Sequence, residues 1–340
     1  MRIAIDAMGG DNAPQAIVAG AIRAASELDQ VNLVLYGDEA KVNELLGEKP
    51  SNIEVVATSQ VIQGDDEPVR SVRRKKDASM VRAARDVKDG KANALISAGN
   101  TGALLTAGTL IIGRIKGLDR PALMGTLPSL YSDKVFQLMD LGANADCKPL
   151  NLDQFAVLGS YYAKNMRGVD QPKVALLNNG TEDSKGNDLS KSAFELLSKN
   201  QAIDFIGNIE AKEILQAPAD VIVTDGFTGN AVLKSMEGTA KAVIDQIKST
   251  LKSGSVKTKL GGFLIKKDLS SLKDLLDYSK IGGAVLFGTR APVIKTHGSA
   301  NAEALYHTVK QARDIIDSQA IQALSQYFEQ EKIKWKFSNL

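Results

Sequence analysis

Lys185 is the first residue in this chain placed to do chemistry. It lies in Asn178-Asn179-Gly180-Thr181-Glu182-Asp183-Ser184-Lys185-Gly186-Asn187, between an apolar run at residues 174–177 and a helical spacing that resumes at Leu189. The run fits a buried strand, so the stretch is a strand-to-helix loop. Glycines let backbone N–H groups turn toward an anion, and amides and hydroxyls add donors. A lysine among them supplies the point charge that a phosphate or a developing oxyanion needs. Alone, such a loop is equally well explained as an ordinary connection. The chain repeats the design, however: predicted strands ending at Ala7, Ser97, Met139, Leu177, Thr224 and Lys295 each run into a loop rich in Gly, Asn, Asp, Ser or Thr. In an open parallel sheet such loops all leave along the carboxyl edge, where ligands of doubly wound folds bind. Helix N-termini there favour anions as well. The expectation is an anion-binding enzyme in which these loops converge.

Motifs for commoner ligands are missing. No G-x-G-x-x-G follows a predicted strand, no G-x-x-x-x-G-K-[ST] occurs, and no G-x-S-x-G elbow is present. Serine and cysteine nucleophiles therefore have no obvious activator. A reaction that brings its own nucleophile needs none, and inorganic phosphate is such a nucleophile. The single Cys147 excludes an internal disulfide and suits a reducing cytoplasm. Two histidines, His297 and His307, give a zinc site little to be built from, so neither metal nor cofactor is expected. A net charge of +2 argues against a dedicated nucleic-acid binder. Residues 2–7 alternate like a strand rather than a leader, and no apolar run approaches the roughly 20 residues that span a bilayer.

The elements that must position these loops read as α/β. Strands are predicted at residues 2–7, 33–36, 53–57, 94–97, 122–127, 135–139, 174–177, 204–206, 221–224, 284–287 and 293–295. Helical spacing separates most of them, and the opening βαβαβ implies a mostly parallel sheet with helices on both faces. Residues 122–127 and 135–139 can pair as a hairpin beside it. Five of the seven residues from Arg70 to Lys76 are basic, including Arg70, Arg73 and Arg74. Such a run is either a solvated face or a docking patch for an acidic partner. After Asn230 comes an amphipathic helix with Met236, Ala240, Val243, Ile244, Ile247 and Leu251 on one stripe and Lys241, Lys248 and Lys252 off it. Leu260, Phe263, Leu264 and Ile265 then stand among further lysines, and a helix carrying Leu269, Leu272, Leu275 and Leu276 follows. One long helix is predicted over 302–328. Nothing divides the chain, so residues 1–340 are expected to form one domain with an amphipathic helical insertion at about 236–278.

The loops taken together resemble the bacterial phosphate acyltransferases, the acyl-carrier-protein:phosphate transacylases. The resemblance rests on Asp6-Ala7-Met8-Gly9-Gly10-Asp11, Ser97-Ala98-Gly99-Asn100-Thr101-Gly102-Ala103 and Asp140-Leu141-Gly142-Ala143-Asn144 with Asp146-Cys147-Lys148-Pro149. It continues through Asn178-Asn179-Gly180, Lys185-Gly186-Asn187, Thr224-Asp225-Gly226-Phe227-Thr228-Gly229-Asn230, Gly288, Ala291-Pro292 and His297-Gly298-Ser299. It implies a three-layer α/β/α sandwich like that of phosphotransacetylases and isocitrate dehydrogenases, and a homodimer. It implies transfer of a fatty acyl group from acyl carrier protein to phosphate, the product passing to a membrane glycerol-3-phosphate acyltransferase. The protein is then expected in the cytoplasm, peripherally associated with the membrane.

Residue roles follow from that chemistry. Lys185 is expected to be the main cation and Asn230 a neutral donor to the thioester oxygen. Gly9, Gly10, Asn100, Thr101 and Gly102 would offer donors to phosphate, while Asp6 and Asp225 would orient Lys185 or water. His297 protonates the leaving thiolate, binds phosphate, or is structural. The acidic carrier would dock on Arg70, Arg73 and Arg74 or on Lys241, Lys248 and Lys252. Leu260, Phe263 and Leu264 would face a membrane or a dimer interface. Three alternatives stand beside this reading: a phosphate acetyltransferase using a CoA thioester, a nicotinamide-dependent dehydrogenase, and a non-catalytic scaffold that binds the carrier.

Overall fold

The computed structural model describes residues 1–265 and 281–338. All the predicted strands form, as β1 (Arg2–Asp6), β2 (Asn32–Gly37), β3 (Ile53–Ala57), β4 (Ala94–Ser97), β5 (Ala122–Pro128), β6 (Val135–Met139), β7 (Lys173–Asn178), β8 (Asp204–Glu210), β9 (Val221–Val223), β10 (Ala284–Phe287) and β11 (Val293–Lys295). The helices are α1 (Gln15–Glu27), α2 (Glu39–Leu46), α3 (Pro68–Arg74), α4 (Ser79–Lys88), α5 (Thr101–Ala107), α6 (Pro149–Arg167), α7 (Asp188–Lys199), α8 (Gly226–Ser253), α9 (Val256–Leu264), α10 (Ala302–Asp317) and α11 (Ala320–Ser338). A π-helical turn, Gly108–Ile112, extends α5, and a 3-10 helix, Ala211–Gln216, follows β8.

One sheet of 11 strands carries the fold, in the order β3-β2-β1-β4-β11-β10-β5-β6-β9-β7-β8. Pairing is parallel along β3-β2-β1-β4-β11 and again along β6-β9-β7-β8. Three antiparallel pairings, β11 with β10, β10 with β5 and β5 with β6, join the two blocks. They leave β1–β5 and β11 running one way and β6–β10 the other. The hairpin at residues 122–139 thus sits inside the sheet as the seam where direction reverses, rather than beside it.

Period-two alternation divides the core into layers. Ile3, Ile5, Leu33, Leu35, Ile96, Met124, Val174, Leu176, Val221, Val285 and Phe287 face one continuous cluster, completed by Ile17 of α1, Phe155 of α6 and Val309 of α10. The alternate positions face the other layer, where two clusters form. Ala4, Val34, Leu95 and Leu286 pack with Met80 of α4 and Leu104 of α5. Leu123, Leu127, Leu138, Ala175 and Ile222 form the second, against which Leu233 and Met236 of α8 pack. A cleft opens between those two clusters.

One further expectation changes. The helix predicted over 302–328 is broken at Gln319, whose φ of +54° ends α10 before α11 begins. The basic run at 70–74 is a short helix, α3, started by Pro68 and capped by the Glu67 carboxylate, which accepts from the N–H groups of Val69 and Arg70. The predicted helix at Leu269, Leu272, Leu275 and Leu276 lies outside the described residues. So does the end of the insertion at about 236–278, of which α8 and α9 are seen.

Candidate active site

The loops after β1, β4 and β11 meet backbone to backbone. Gly9 is buried, and a Cβ there would lie 2.4 Å from Asp6 Oδ2 and 2.7 Å from the Gly99 nitrogen. Gly10 has a φ of +106°, and its Cβ would meet the Ala98 side chain at 2.8 Å and the Gly298 carbonyl at 3.0 Å. The Asp11 N–H donates to that same carbonyl at 2.8 Å. Only glycine permits this approach. Asp6, buried beneath, accepts from Ser79 Oγ at 2.5 Å, Ser97 Oγ at 2.7 Å and the Met8 N–H at 3.2 Å. Burial pushes its carboxyl pKa up against the pull of these donors.

These loops form the polar end of a cleft of about 820 Å³. Gly10, Asn100, Thr101, Gly102 and His297 line it, together with Asn230, Lys234 and Glu237 of α8. Leu123, Gly125 and Leu127 of β5, with Leu141 and Leu233, give it an apolar wall. The His297 Nδ1 accepts the Ser299 N–H at 3.2 Å and lies 2.8 Å from Ser299 Oγ. In the neutral ring the proton is therefore on Nε2, which makes His297 a donor.

The expectation that all the loops converge is corrected by the reversal at β5 and β6. The loops after β7, β8 and β9 line a second hollow with Asn178, Asn179, Gly186, Asn187, Lys212, Asp225 and Thr228. Helix α8 separates the two: Asp225, Thr228 and Val232 face the second hollow, and Asn230, Leu233, Lys234 and Glu237 face the cleft. Lys185 is exposed and, within one chain, does not line the cleft. Neither aspartate orients it. Asp6 ties Ser79 to Ser97, and Asp225 caps α8 by accepting from the Thr228 N–H and hydroxyl, each at 2.8 Å.

Asn100 is also committed. Its Oδ1 caps α5 through the Ala103 N–H at 3.0 Å, and its amide donates to the carbonyls of Gln63, Gly64 and Asp66. What it offers the cleft is a fixed backbone, with the 63–66 loop held over the rim. Gly9 likewise packs loops together and does not itself line the cleft. Cys147 is half-buried, and burial with the Asp140 charge pushes its thiol up to about 11, which disfavours the thiolate a nucleophile needs.

The sequence reading missed Lys295 as a site residue. It lines the cleft at the end of β11, where its Nζ donates to the carbonyls of Ala98, at 3.1 Å, and Thr296. Burial lowers its pKa to about 8, the nearby Asp11 charge opposing and Lys234 adding to the shift. The available signal was its position as the last residue of a predicted strand feeding the His297 loop. Arg70, Arg73 and Arg74 are exposed on α3, whose Pro68 would touch a Cβ at Gly102 at 2.6 Å, so the patch adjoins the rim. Lys241 is bound to Asp245 at 2.9 Å, while Lys248 and Lys252 stand further along α8. Among the described residues no cluster of His, Cys, Asp and Glu could hold a metal, and no helix is long and apolar enough to cross a membrane.

The family model for "Fatty acid synthesis protein" matches residues 1–323. A phosphate acyltransferase of Streptococcus uberis is 53% identical over 332 residues, covering 98% of each chain. One of Enterococcus faecalis is 53% identical over 330 residues, covering 97% of this chain and 99% of its own. Among solved structures, a phosphotransacetylase from Streptococcus pyogenes superposes with a TM-score of 0.59 at 19% identity, covering 95% of this chain and 94% of its own. That likeness establishes the shared α/β architecture.

Proposed function

The chain belongs to the phosphate acyltransferase family, and on that premise we propose that it moves a long fatty acyl group from acyl carrier protein to inorganic phosphate, giving acyl phosphate. The observation that carries this reading is the cleft, where a polar cradle of loops runs into the apolar wall of Leu123, Leu127, Leu141 and Leu233. An anion suits the first and an acyl chain the second. A phosphate oxygen attacks the thioester carbon, and the C–S bond breaks as the tetrahedral intermediate collapses. The proton given up by phosphate goes to the departing thiolate, leaving acyl phosphate and the free carrier thiol. The His297 Nε2–H and the Asn230 amide are the donors for the oxyanion and the departing sulfur. Lys185, exposed on the loop that borders the second hollow, is proposed to meet the carrier-borne donor.

The carrier is proposed to dock on Arg70, Arg73 and Arg74, since these adjoin the rim and form no ion pair with any described residue. The chain is taken as one catalytic domain with an amphipathic helical insertion at about 236–278, working as a homodimer and passing its product to a membrane glycerol-3-phosphate acyltransferase. The test is thiol release from palmitoyl carrier protein with and without phosphate, trapping the product with hydroxylamine. Release should require phosphate and yield hydroxamate, while acetyl-CoA turns over at least about 100-fold more slowly, the scale of several lost apolar contacts. Reversing Arg70 and Arg73 to Glu should raise KM for the carrier-borne donor alone. Acetyl-CoA used equally well, or thiol released without phosphate, overturns the assignment.

Helix α9 supports a visit to the membrane. Leu260, Phe263 and Leu264 are 61%, 74% and 72% exposed and recur at i, i+3 and i+4, so they share one face. Inserting a Leu and a Phe contributes roughly 1.5–3 kcal/mol each. Leu260→Glu with Phe263→Glu is expected to cut sedimentation with anionic liposomes at least about 10-fold, with activity on soluble donor within about twofold. Unchanged sedimentation, or conversion of a dimer to monomers, would assign that face elsewhere.

A further inference from the structure

We propose that Lys295 is the cation that receives inorganic phosphate in the cleft, an assignment that rests on the phosphate-transfer reading above. Its backbone is fixed by the sheet, since β11 pairs in parallel with β4 and places Lys295 opposite Ser97. Its ammonium is held at the junction of two cradle loops by the carbonyls of Ala98 and Thr296. An ammonium has three N–H donors, so one remains for a ligand. Both carbonyl partners are neutral, and among the described residues no carboxylate lies within ion-pair distance of Lys295. The other lysine of the cleft, Lys234, is bound to Glu237 at 2.7 Å. Lys295 is thus a largely buried positive charge without a carboxylate in direct contact, an arrangement that costs stability until an anion arrives. Its depressed pKa, about 8, expresses the same cost. The free ion fits this place better than a carrier-borne group, because the cradle at Gly10, Ala98 and Gly298 closes behind it.

The test uses Lys295→Met, which keeps the length and removes the charge, and Lys295→Arg, which keeps the charge. KM for phosphate should rise about 10- to 100-fold in Lys295→Met, the worth of a hydrogen bond to a charged group. KM for the acyl donor should stay within about threefold, a split that a merely structural role would not produce. The rise in Tm that inorganic phosphate gives the wild-type protein should be lost. In the wild type, kcat/KM for phosphate should fall as pH rises through about 8, where Lys295 loses its proton. Asp11 and Asp6 from the β1 loop, Lys234 from α8 and His297 from its own loop face this group. Lys295→Arg should abolish that inflection. An unchanged phosphate KM in Lys295→Met, an equal rise for both substrates, or a wild-type profile flat across pH 8 overturns the assignment. Thiol release by wild type without phosphate would instead overturn the underlying reading.

Discussion

Gly9→Ala is expected to lower kcat/KM by about 100-fold while leaving a folded protein. The new methyl group has no free space, since its position lies 2.4 Å from Asp6 Oδ2, 2.7 Å from the Gly99 nitrogen and 2.9 Å from the Gly99 Cα. Two of those atoms are backbone, so relief requires the β1 and β4 loops to part. Asp6 resists, because Ser79 and Ser97 hold it from below. The loops that move carry Gly10, Thr101 and Gly102, and a displacement near 1 Å at a reacting group costs about 100-fold. Overpacking costs about 1–3 kcal/mol of stability, which a thermal melt reads separately. Gly238→Ala is the control: nothing lies within 4 Å of its Cβ position, and it sits inside α8. There alanine should be neutral or stabilise by up to about 1 kcal/mol. Activity within about threefold of wild type in Gly9→Ala would show that the loop junction is not part of the site.

The strands were legible because most are short apolar runs closed by Gly, Asn, Asp, Ser or Thr, and a buried parallel strand leaves that trace in sequence. Strand direction leaves none. Residues 122–127 and 135–139 read as a hairpin, yet nothing in them says that the hairpin would be taken into the sheet and reverse it. Asn179 and Gly10, which look alike as loop residues, therefore belong to different hollows. Polar loop residues misled for a second reason. Asn100, Asn187, Asp225 and Asn301 each cap the helix that follows. A capping side chain and a ligand donor have the same composition, and only geometry separates them. Lys295 was missed in the opposite way, because a lysine ending a strand is usually solvated, and its burial arises from loops distant in sequence.

The reversal also explains why α8 matters to both hollows. A helix that begins at the carboxyl end of β9 and passes over the seam presents opposite faces to the two loop sets, Thr228 to one and Asn230 to the other. Its first turn is set tightly against the β6 loop: a Cβ at Gly229 would lie 1.9 Å from the Asp140 carbonyl, and one at Gly226 would lie 2.6 Å from the Asn144 carbonyl. The position of Asn230 in the cleft is thereby inherited from the conformation of residues 140–144.

Asp140 sets that conformation, and Asp140→Ala is the second large effect expected. The residue is 0% exposed, and its carboxylate organises the whole turn. Oδ1 accepts the N–H groups of Leu123 at 3.0 Å, Gly142 at 3.1 Å and Ala143 at 3.0 Å, while Oδ2 accepts the Asn144 N–H and its amide, both at 2.8 Å. Truncation removes every one of these acceptors at once, and each buried donor left unsatisfied costs about 1–3 kcal/mol. Water entering the vacated space recovers part of that, so a net loss of about 4 kcal/mol is expected, at the upper end for one substitution. Chemical denaturation should show a lowered midpoint with an unchanged slope. Asp140→Asn, which fills the space but turns an NH2 toward donors, should fall between wild type and alanine. Because the turn seats α8, the folded fraction of Asp140→Asn should also lose turnover at least about 10-fold through misplacement of Asn230. A stable, fully active Asp140→Ala protein would mean that the β6 loop neither holds α8 nor shapes the cleft.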